Sequence, residues 1–342
     1  MRAQLLVRVL AAVIVAAACG GANPPAPAEE AAKTELQMDM TPSGSTTTIL
    51  TSAQPIADFL SKEIGVPVKA RVPLSYAAVV EDFSSKNADI GWSGAVGYVA
   101  ARNKAGAEAV TVSQRCLPPT VFPSEPQGKS PNPDTTLCKP QGPYPSIIFC
   151  GSGVAYSGSR DDPSALSQLK GKKFAFGDPL SGSSSIWPRY YLKQAGVNPD
   201  SDFAKVTSLS SQTAVAVAVG NGTVDCGATF GDARVGSAQR TVPDILTKTK
   251  VVFVSPLMVP GDPQFLRKGL NSAQKAKVKA AMAKLGTEPT MKKPLLDLYG
   301  INALGTANDR DYDVIQKYAD TVKPGLLGEV LASPSPAASP SK

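Results

Sequence analysis

The sequence predicts an α/β protein made of two lobes with a ligand cleft between them. Apolar runs of strand length alternate with helical patterns, once before and once after a long proline-rich break, so two sheets are expected. A serine-rich turn follows one of those strands, at the end of the sheet where α/β proteins receive ligands. An export-type leader opens the chain, which suits a receptor that closes by hinge motion on a small molecule. With 342 residues and 42% hydrophobic content the chain can build two cores.

The leader, MRAQLLVRVLAAVIVAAACGG, has basic Arg2 and Arg8 and an apolar run from Val9 to Ala18 that is too short to span a bilayer stably. Residues 1–18 are read as a signal peptide. Ala16 to Ala18 before Cys19 resemble a bacterial lipobox, with Ala16 where leucine is usual, and Cys19 then becomes the lipid anchor. The alternative is cleavage after an Ala-x-Ala, with Cys19 incidental. The flexible tether at 19–33, GGANPPAPAEEAAK, favours the anchored form.

ELQMDM is the first strand candidate, and a helical pattern from Thr48 to Ile64 stops at Gly65. VPVKARV is a second strand, Tyr76 to Phe83 a helix, ADIGW a third strand and Ala95 to Asn103 a helix. This spacing implies a parallel, doubly wound sheet. From Gln114 to Pro145 the pattern breaks into proline, glycine and polar residues, with Cys116 and Cys138 near the ends of an excursion between the lobes. SIIFCGSGVAY reopens the strand rhythm. A helix from Pro163 to Leu169, strand KKFAFG, the serine turn with its helix to Gly196, and strand FAKVTSL follow. Helix Gln212 to Val219 and strands TVDCGAT and KVVFVS complete this second unit. The C-terminal helices are Ser272 to Leu285, Met291 to Tyr299 and Asp309 to Val322. One lobe therefore takes 34–113 and 256–330, the crossover excursion 114–145, the other lobe 146–255, and 331–342 form a tail disordered by composition.

The formal net charge is +7, two of it from Arg2 and Arg8 in the leader. Its densest part, Lys275, Lys277, Lys279 and Lys284, reads as a solvated helix face; no aromatics interleave as nucleic-acid binding would suggest. Histidine is absent, which excludes His-dependent triads, HExxH zinc sites and any imidazole general base. No Walker loop is present, and a serine without a base is a poor nucleophile. Neither an enzyme nor a cofactor or metal is expected.

With Cys19 lipidated, four cysteines remain in an exported, oxidising setting. The expected pairs are Cys116 with Cys138 across the excursion and Cys150 with Cys226 between two strands. No CxxC occurs, so zinc is the weaker account.

In FAFGDPLSGSSSIWP a buried strand, Phe174 to Phe176, runs into a helical pattern that starts at Ser183. Ser181, Ser183, Ser184 and Ser185 thus occupy a strand-to-helix turn. Free backbone N–H groups and the positive end of a helix dipole meet there, and both favour an anion. On this segment alone, one serine N-cap with solvated neighbours is the simpler account.

Five segments, the serine turn among them, shift that balance together. SYAAVVEDFSSKNADIGWSG, YPSIIF, FGDPLSGSSSIWPRYYL, TAVAVAVGNGTVDCGAT and SPLMVPGDPQFLRK stand in the order found in the phosphonate, phosphite and phosphate substrate-binding proteins of bacterial ABC importers. The chain resembles that family from about Glu35 to about Leu304, apart from the excursion, and the resemblance implies the type II periplasmic-binding fold. It also implies an anion site at Ser181, Gly182, Ser183 and Ser184, with Gly182 where the family often has threonine. Tyr76 and Tyr144 match the tyrosines that reach the anion, and Gln212 matches a histidine of aminoethylphosphonate-binding members. In those members two carboxylates hold the ligand's ammonium; Asp262 and Asp232 match them, Asp232 replacing a glutamate one methylene longer.

The expected function is therefore that of a monomeric, lipid-anchored binding protein handing a phosphorus oxyanion to an ABC permease and ATPase outside the cytoplasmic membrane. The alternative is a sensor subunit that presents ligand to a membrane kinase. A related thiol-dependent arsenite binder would need Cys150 or Cys226 free.

Overall fold

The computed structural model describes residues 30–116 and 140–332. The expected signal peptide and lipid anchor Cys19, most of the expected tether, the bulk of the excursion with Cys138, and residues 333–342 lie outside the described residues.

In the first sheet β1 (Leu36–Met40) lies between β2 (Val68–Arg71) and β3 (Ile90–Trp92), all parallel. A helix follows each strand: α1 (Thr46–Ile64), α2 (Tyr76–Ser84) and α3 (Ala95–Ala105). Ile49, Ala53, Ile56, Leu60 and Ile64 of α1, at helical spacing, bury against Leu36, Met38 and Met40 of β1. The helix stops where Gly65, at φ 85°, takes the left-handed cap. The sheet is completed by β4 (Glu108–Gln114), β10 (Pro263–Leu266) and β11 (Ala303–Thr306), in the order β11-β4-β10-β3-β1-β2.

The second sheet has β5 (Ser146–Gly151), β6 (Lys173–Phe176), β7 (Lys205–Ser208), β8 (Cys226–Phe230) and β9 (Thr249–Val254), ordered β7-β6-β8-β5-β9. Strands β6, β7 and β8 are parallel, and α4 (Trp187–Gln194) and α5 (Gln212–Gly220) follow β6 and β7. Short helices α6 (Gln239–Thr241) and α7 (Ile245–Lys248) precede β9.

Both sheets are mixed, which corrects the expectation of purely parallel strands. β10 runs antiparallel to β3 and β4, and β5 antiparallel to β8 and β9. The crossings explain this. β4 and β9 end at the cleft, so the chain enters the opposite sheet at its cleft edge, and β5 and β10 must run away from it.

Two predicted helices also differ in kind. Pro163–Leu169 is a 3-10 helix, and the serine segment divides into a π turn, Gly182–Ile186, and α4. Pro188 has no N–H to give and sits in the first turn of α4, where none is needed. The four-residue strands β10 and β11 carried no clear alternation in the sequence, whereas β4, EAVTVSQ, alternates from Val110 to Ser113 and was a usable signal.

After β10 come α8 (Ser272–Leu285), α9 (Lys292–Tyr299), α10 (Asp313–Val322) and α11 (Leu326–Ala332), the last running into the expected tail. α8 and α9 cover α1, whereas α10 lies against both α3 and α4. Tyr318 of α10 meets the Trp187 ring at 4.9 Å, and Asp313 pairs with Arg102 at 3.0 Å. The lysine-rich face of α8 is spent on surface ion pairs: Lys275 and Lys279 with Glu108, Lys284 with Glu63.

Cys150 and Cys226 face each other on β5 and β8 and are disulfide-bonded, so neither thiol is free. Cys116 is also disulfide-bonded; its expected partner, Cys138, lies outside the described residues.

Candidate ligand-binding cleft

A cavity of about 710 Å³ opens between the sheets at the carboxyl ends of their parallel strands. Thr41 after β1, Trp92 to Gly94 at the end of β3 and Arg115 after β4 line one side. Ser181 and Gly182 beyond β6, and Phe230 to Asp232 at the end of β8, line the other. Tyr144 and Asp262 enter where the chain crosses, just ahead of β5 and β10. Two hydrogen bonds join the walls: Tyr76 N–H donates to Asp178 Oδ2 at 3.3 Å, and Gln212 N–H to the Ser43 carbonyl at 3.1 Å.

Four helical starts meet at this cavity: α2 at Tyr76, α3 at Gly94, the π turn at Gly182 and α5 at Gln212. None has an acidic residue in its first turn, and the Gly94 cap of α3 offers no side-chain acceptor. Asp178 accepts the first N–H of α2 and the Ser43 carbonyl that of α5, so α3, whose Gly94 cap makes no side-chain bond, is the start left uncompensated, which suits an anion.

The serine turn is less exposed to the cleft than its composition suggests. Ser181 lines it, and its Oγ accepts from Ser184 N–H at 3.3 Å as an N-cap. Gly182 lines it with backbone alone: a Cβ there would come 2.8 Å from Val259 and 3.5 Å from Val96. A threonine at 182 therefore has no room. Gly182→Thr is expected to weaken ligand binding, because its methyl and hydroxyl push Val259 and Val96 apart at the closing face. Tighter binding in calorimetry would show instead that the missing hydroxyl mattered more than the fit.

Ser183 and Ser184 are fully buried and are not among the residues that line the cleft. Gln212 Nε2 donates to Ser183 Oγ at 3.3 Å, and Gln212 Oε1 accepts from Phe230 N–H at 2.6 Å. Ser184 Oγ packs behind the turn, where a Cβ on Gly177 would meet it at 2.0 Å, and finds no hydrogen-bond partner among the described residues.

Both assigned carboxylates are already engaged. Asp262 Oδ1 accepts from the Tyr144 hydroxyl at 2.7 Å, and Oδ2 from Arg115 Nη2 at 2.8 Å. Asp232 is buried against Arg234: Nε reaches Oδ1 at 3.0 Å and Nη2 reaches Oδ2 at 2.6 Å, with Arg234 N–H adding a third bond at 3.0 Å. The far side of Arg234 donates to Thr249 Oγ1 at 3.1 Å.

Burial, followed by the charges of Asp178 and Asp262, raises the Tyr76 phenol well above its ordinary pKa. Burial and the charge of Asp262 do the same for Tyr144. Both stay protonated at neutral pH and keep their O–H for hydrogen bonding.

Three cleft residues escaped the sequence reading. Trp92 Nε1, Ser93 Oγ and Arg115 Nη1 are buried without a hydrogen-bond partner among the described residues, and all three residues line the cavity. The strand-end position of Trp92 and Ser93 was a usable signal. Arg115, beside a cysteine at the edge of a proline-rich break, carried none.

Two mixed sheets facing each other across a cleft, joined by strands that cross between them, define the two-lobed class with the type II periplasmic-binding fold. Residues 38–312 match the family described as "ABC transporter, phosphonate, periplasmic substrate-binding protein", and the chain belongs to it. Its members are binding components of transporters, not enzymes. The chain is 26% identical over 241 residues to the phosphonates-binding periplasmic protein of Escherichia coli K12, covering 70% of this chain and 63% of that one. It is 24% identical over 224 residues to the phosphate-import protein PhnD of Mycolicibacterium smegmatis, covering 64% and 62%. In each case it spans less than two thirds of the relative's length. Among solved structures, PhnD1 of Prochlorococcus marinus (MIT 9301) with methylphosphonate superposes at TM-score 0.69, with 19% identity over 85% of this chain and 99% of that one. A binding-protein component of an ABC phosphonate transporter from Pseudomonas aeruginosa gives 0.66 at 22% identity, covering 87% and 95%. At such identities the likeness carries the fold alone.

Proposed function

We propose that this chain is an extracytoplasmic solute-binding lipoprotein of an ABC importer, anchored through Cys19, that captures a phosphonate or related phosphorus oxyanion by hinge closure. It passes the ligand, as a monomer, to permease and ATPase subunits. The observation that carries this reading is the meeting of four helical starts, none with an acidic residue in its own first turn, with the unpartnered buried donors Trp92 Nε1 and Ser93 Oγ in one cleft. Such a site stabilises negative charge through dipoles and neutral donors, and its Arg115 guanidinium is already paired with Asp262, so the ligand can be released again. In this reading Ser181 and the Gly182 N–H cradle the anion from one lobe, Tyr76 and Ser93 meet it from the other, and Gln212 ties Ser183 to the cradle. The lobes are residues 34–113 with 256–330, and 146–255. Four or five charge-assisted bonds of roughly 1.5–3 kcal/mol each, less the cost of closure, reach about micromolar affinity.

The Cys150–Cys226 disulfide supports a site outside the cytoplasm. No helix among the described residues is long and apolar enough to cross a membrane. The transport names of the relatives favour import over presentation to a signalling kinase.

Calorimetric titration of the purified protein with methylphosphonate, 2-aminoethylphosphonate, phosphite and phosphate tests the reading. Binding by at least one is expected, and Ser181→Ala should weaken it at least about tenfold, the effect of one charge-assisted bond. The melting temperature of the ligand-free protein should fall only by the small cost of a lost N-cap. Undiminished affinity in Ser181→Ala would overturn the cradle, and no binding by any of the four would overturn the function.

A further inference from the structure

We propose that Arg115 sets the polarity of the cleft around the ligand's substituent, so that the site takes a phosphonate bearing a carboxylate or similar acceptor and disfavours one bearing an ammonium. This rests on the reading above and sharpens it.

The guanidinium is held from two sides. Nε donates to the Tyr299 carbonyl at 2.9 Å and Nη2 to Asp262 at 2.8 Å, and the group lies 5.5 Å from the centre of the Tyr144 ring. Its third nitrogen, Nη1, is buried without a hydrogen-bond partner among the described residues, on a residue that lines the cleft. A buried charged N–H without an acceptor is costly, so an acceptor brought by the ligand is favoured there. A carboxylate fits best, since the guanidinium fork matches its geometry.

An ammonium is disfavoured by the same residues. Of the carboxylates that the family resemblance assigns to it, Asp262 has both oxygens engaged by Tyr144 and Arg115, and Asp232 has both engaged by Arg234. An ammonium placed beside Asp262 would also face Arg115, a like charge. The cavity agrees in size: about 710 Å³ is within the range of pockets that hold organic ligands and exceeds what a bare tetrahedral oxyanion fills.

The test is titration of wild-type protein, Arg115→Gln and Asp262→Asn with methylphosphonate, 2-aminoethylphosphonate and phosphonoacetate. In the wild type, phosphonoacetate should bind at least about tenfold tighter than 2-aminoethylphosphonate, one charge-assisted bond's worth. Arg115→Gln should erase this preference and improve 2-aminoethylphosphonate, because Asp262 is released. Tighter binding of 2-aminoethylphosphonate by the wild type would overturn the proposal, as would equal weakening of all three ligands in Arg115→Gln. If that variant does not fold, the wild-type ranking and Asp262→Asn decide: loss of 2-aminoethylphosphonate binding in Asp262→Asn would also overturn it. Methylphosphonate has neither group and reports the underlying reading, so its failure to bind along with the other two brings down both. Its binding without the predicted ranking overturns only the role of Arg115.

Discussion

Replacing Arg234 with leucine is expected to destabilise the ligand-free protein by about 3–5 kcal/mol, because the Asp232 carboxylate would then be buried without its counter-charge. In a chain of this size the melting temperature should fall on the order of 10 °C. Asp232 and Arg234 side chains are 0% and 1% exposed, so water cannot take over the missing partner. Replacing both, with Asp232→Leu and Arg234→Met, should recover most of the loss, since the cost lies in the orphaned charge rather than in the absence of the pair. Guanidinium chloride unfolding of the parent and the two variants measures this. The outcome bears on function, because Asp232 matches a ligand-binding carboxylate of the family. An unchanged unfolding midpoint in Arg234→Leu, combined with altered ligand affinity, would return Asp232 to the ligand.

Removing the Cys150–Cys226 bond by alanine at both positions is expected to cost about 4 kcal/mol, on the chain-entropy account for residues 76 apart in sequence. The bond joins neighbouring strands β5 and β8 in direct register, so the folded state already holds the two positions together. Its main effect is then on the unfolded chain, where it forbids extended states. The double variant isolates this bond from the one at Cys116, which a reducing agent would break as well. A stability within about 1 kcal/mol of the parent would show that strand pairing alone secures the second lobe.

Much of the architecture was legible in local pattern. Helix Ser272–Leu285 was read to the residue, and the starts of α2, α3 and α5 at Tyr76, Ala95 and Gln212 were placed correctly. Helical periodicity and capping chemistry act over a few residues, so the sequence displays them directly. Of the two strands that the crossings lead into, β5 was legible in SIIFCG and β10 was not. PQFL of β10 is four residues long and follows Pro-Gly-Asp, a turn signal, and it is a strand only because β3 and β4 flank it. The direction of β5 and β10 likewise depends on which edge the chain enters, which no local pattern encodes.

The serine turn shows the same division within the site. Its place after a buried strand and its fitness for an anion followed from sequence, whereas the burial of Ser183 and Ser184 did not. Gly182 read as a lost hydroxyl, but the space is filled by Val96 and Val259, which lie far from it in the chain.

By itself, then, the sequence determined the order of elements, the family, the absence of histidine chemistry and the turn that faces the cleft. Only the tertiary structure decided which charges remain available there. Arg115 and Asp262 stand 147 residues apart and meet at 2.8 Å because β4 and β10 are neighbours, while Asp232 and Arg234, two residues apart, form a pair because both are shut away from water. Ion pairing and desolvation depend on distance and burial in space, so the polarity of this site emerges only when the strands are assembled.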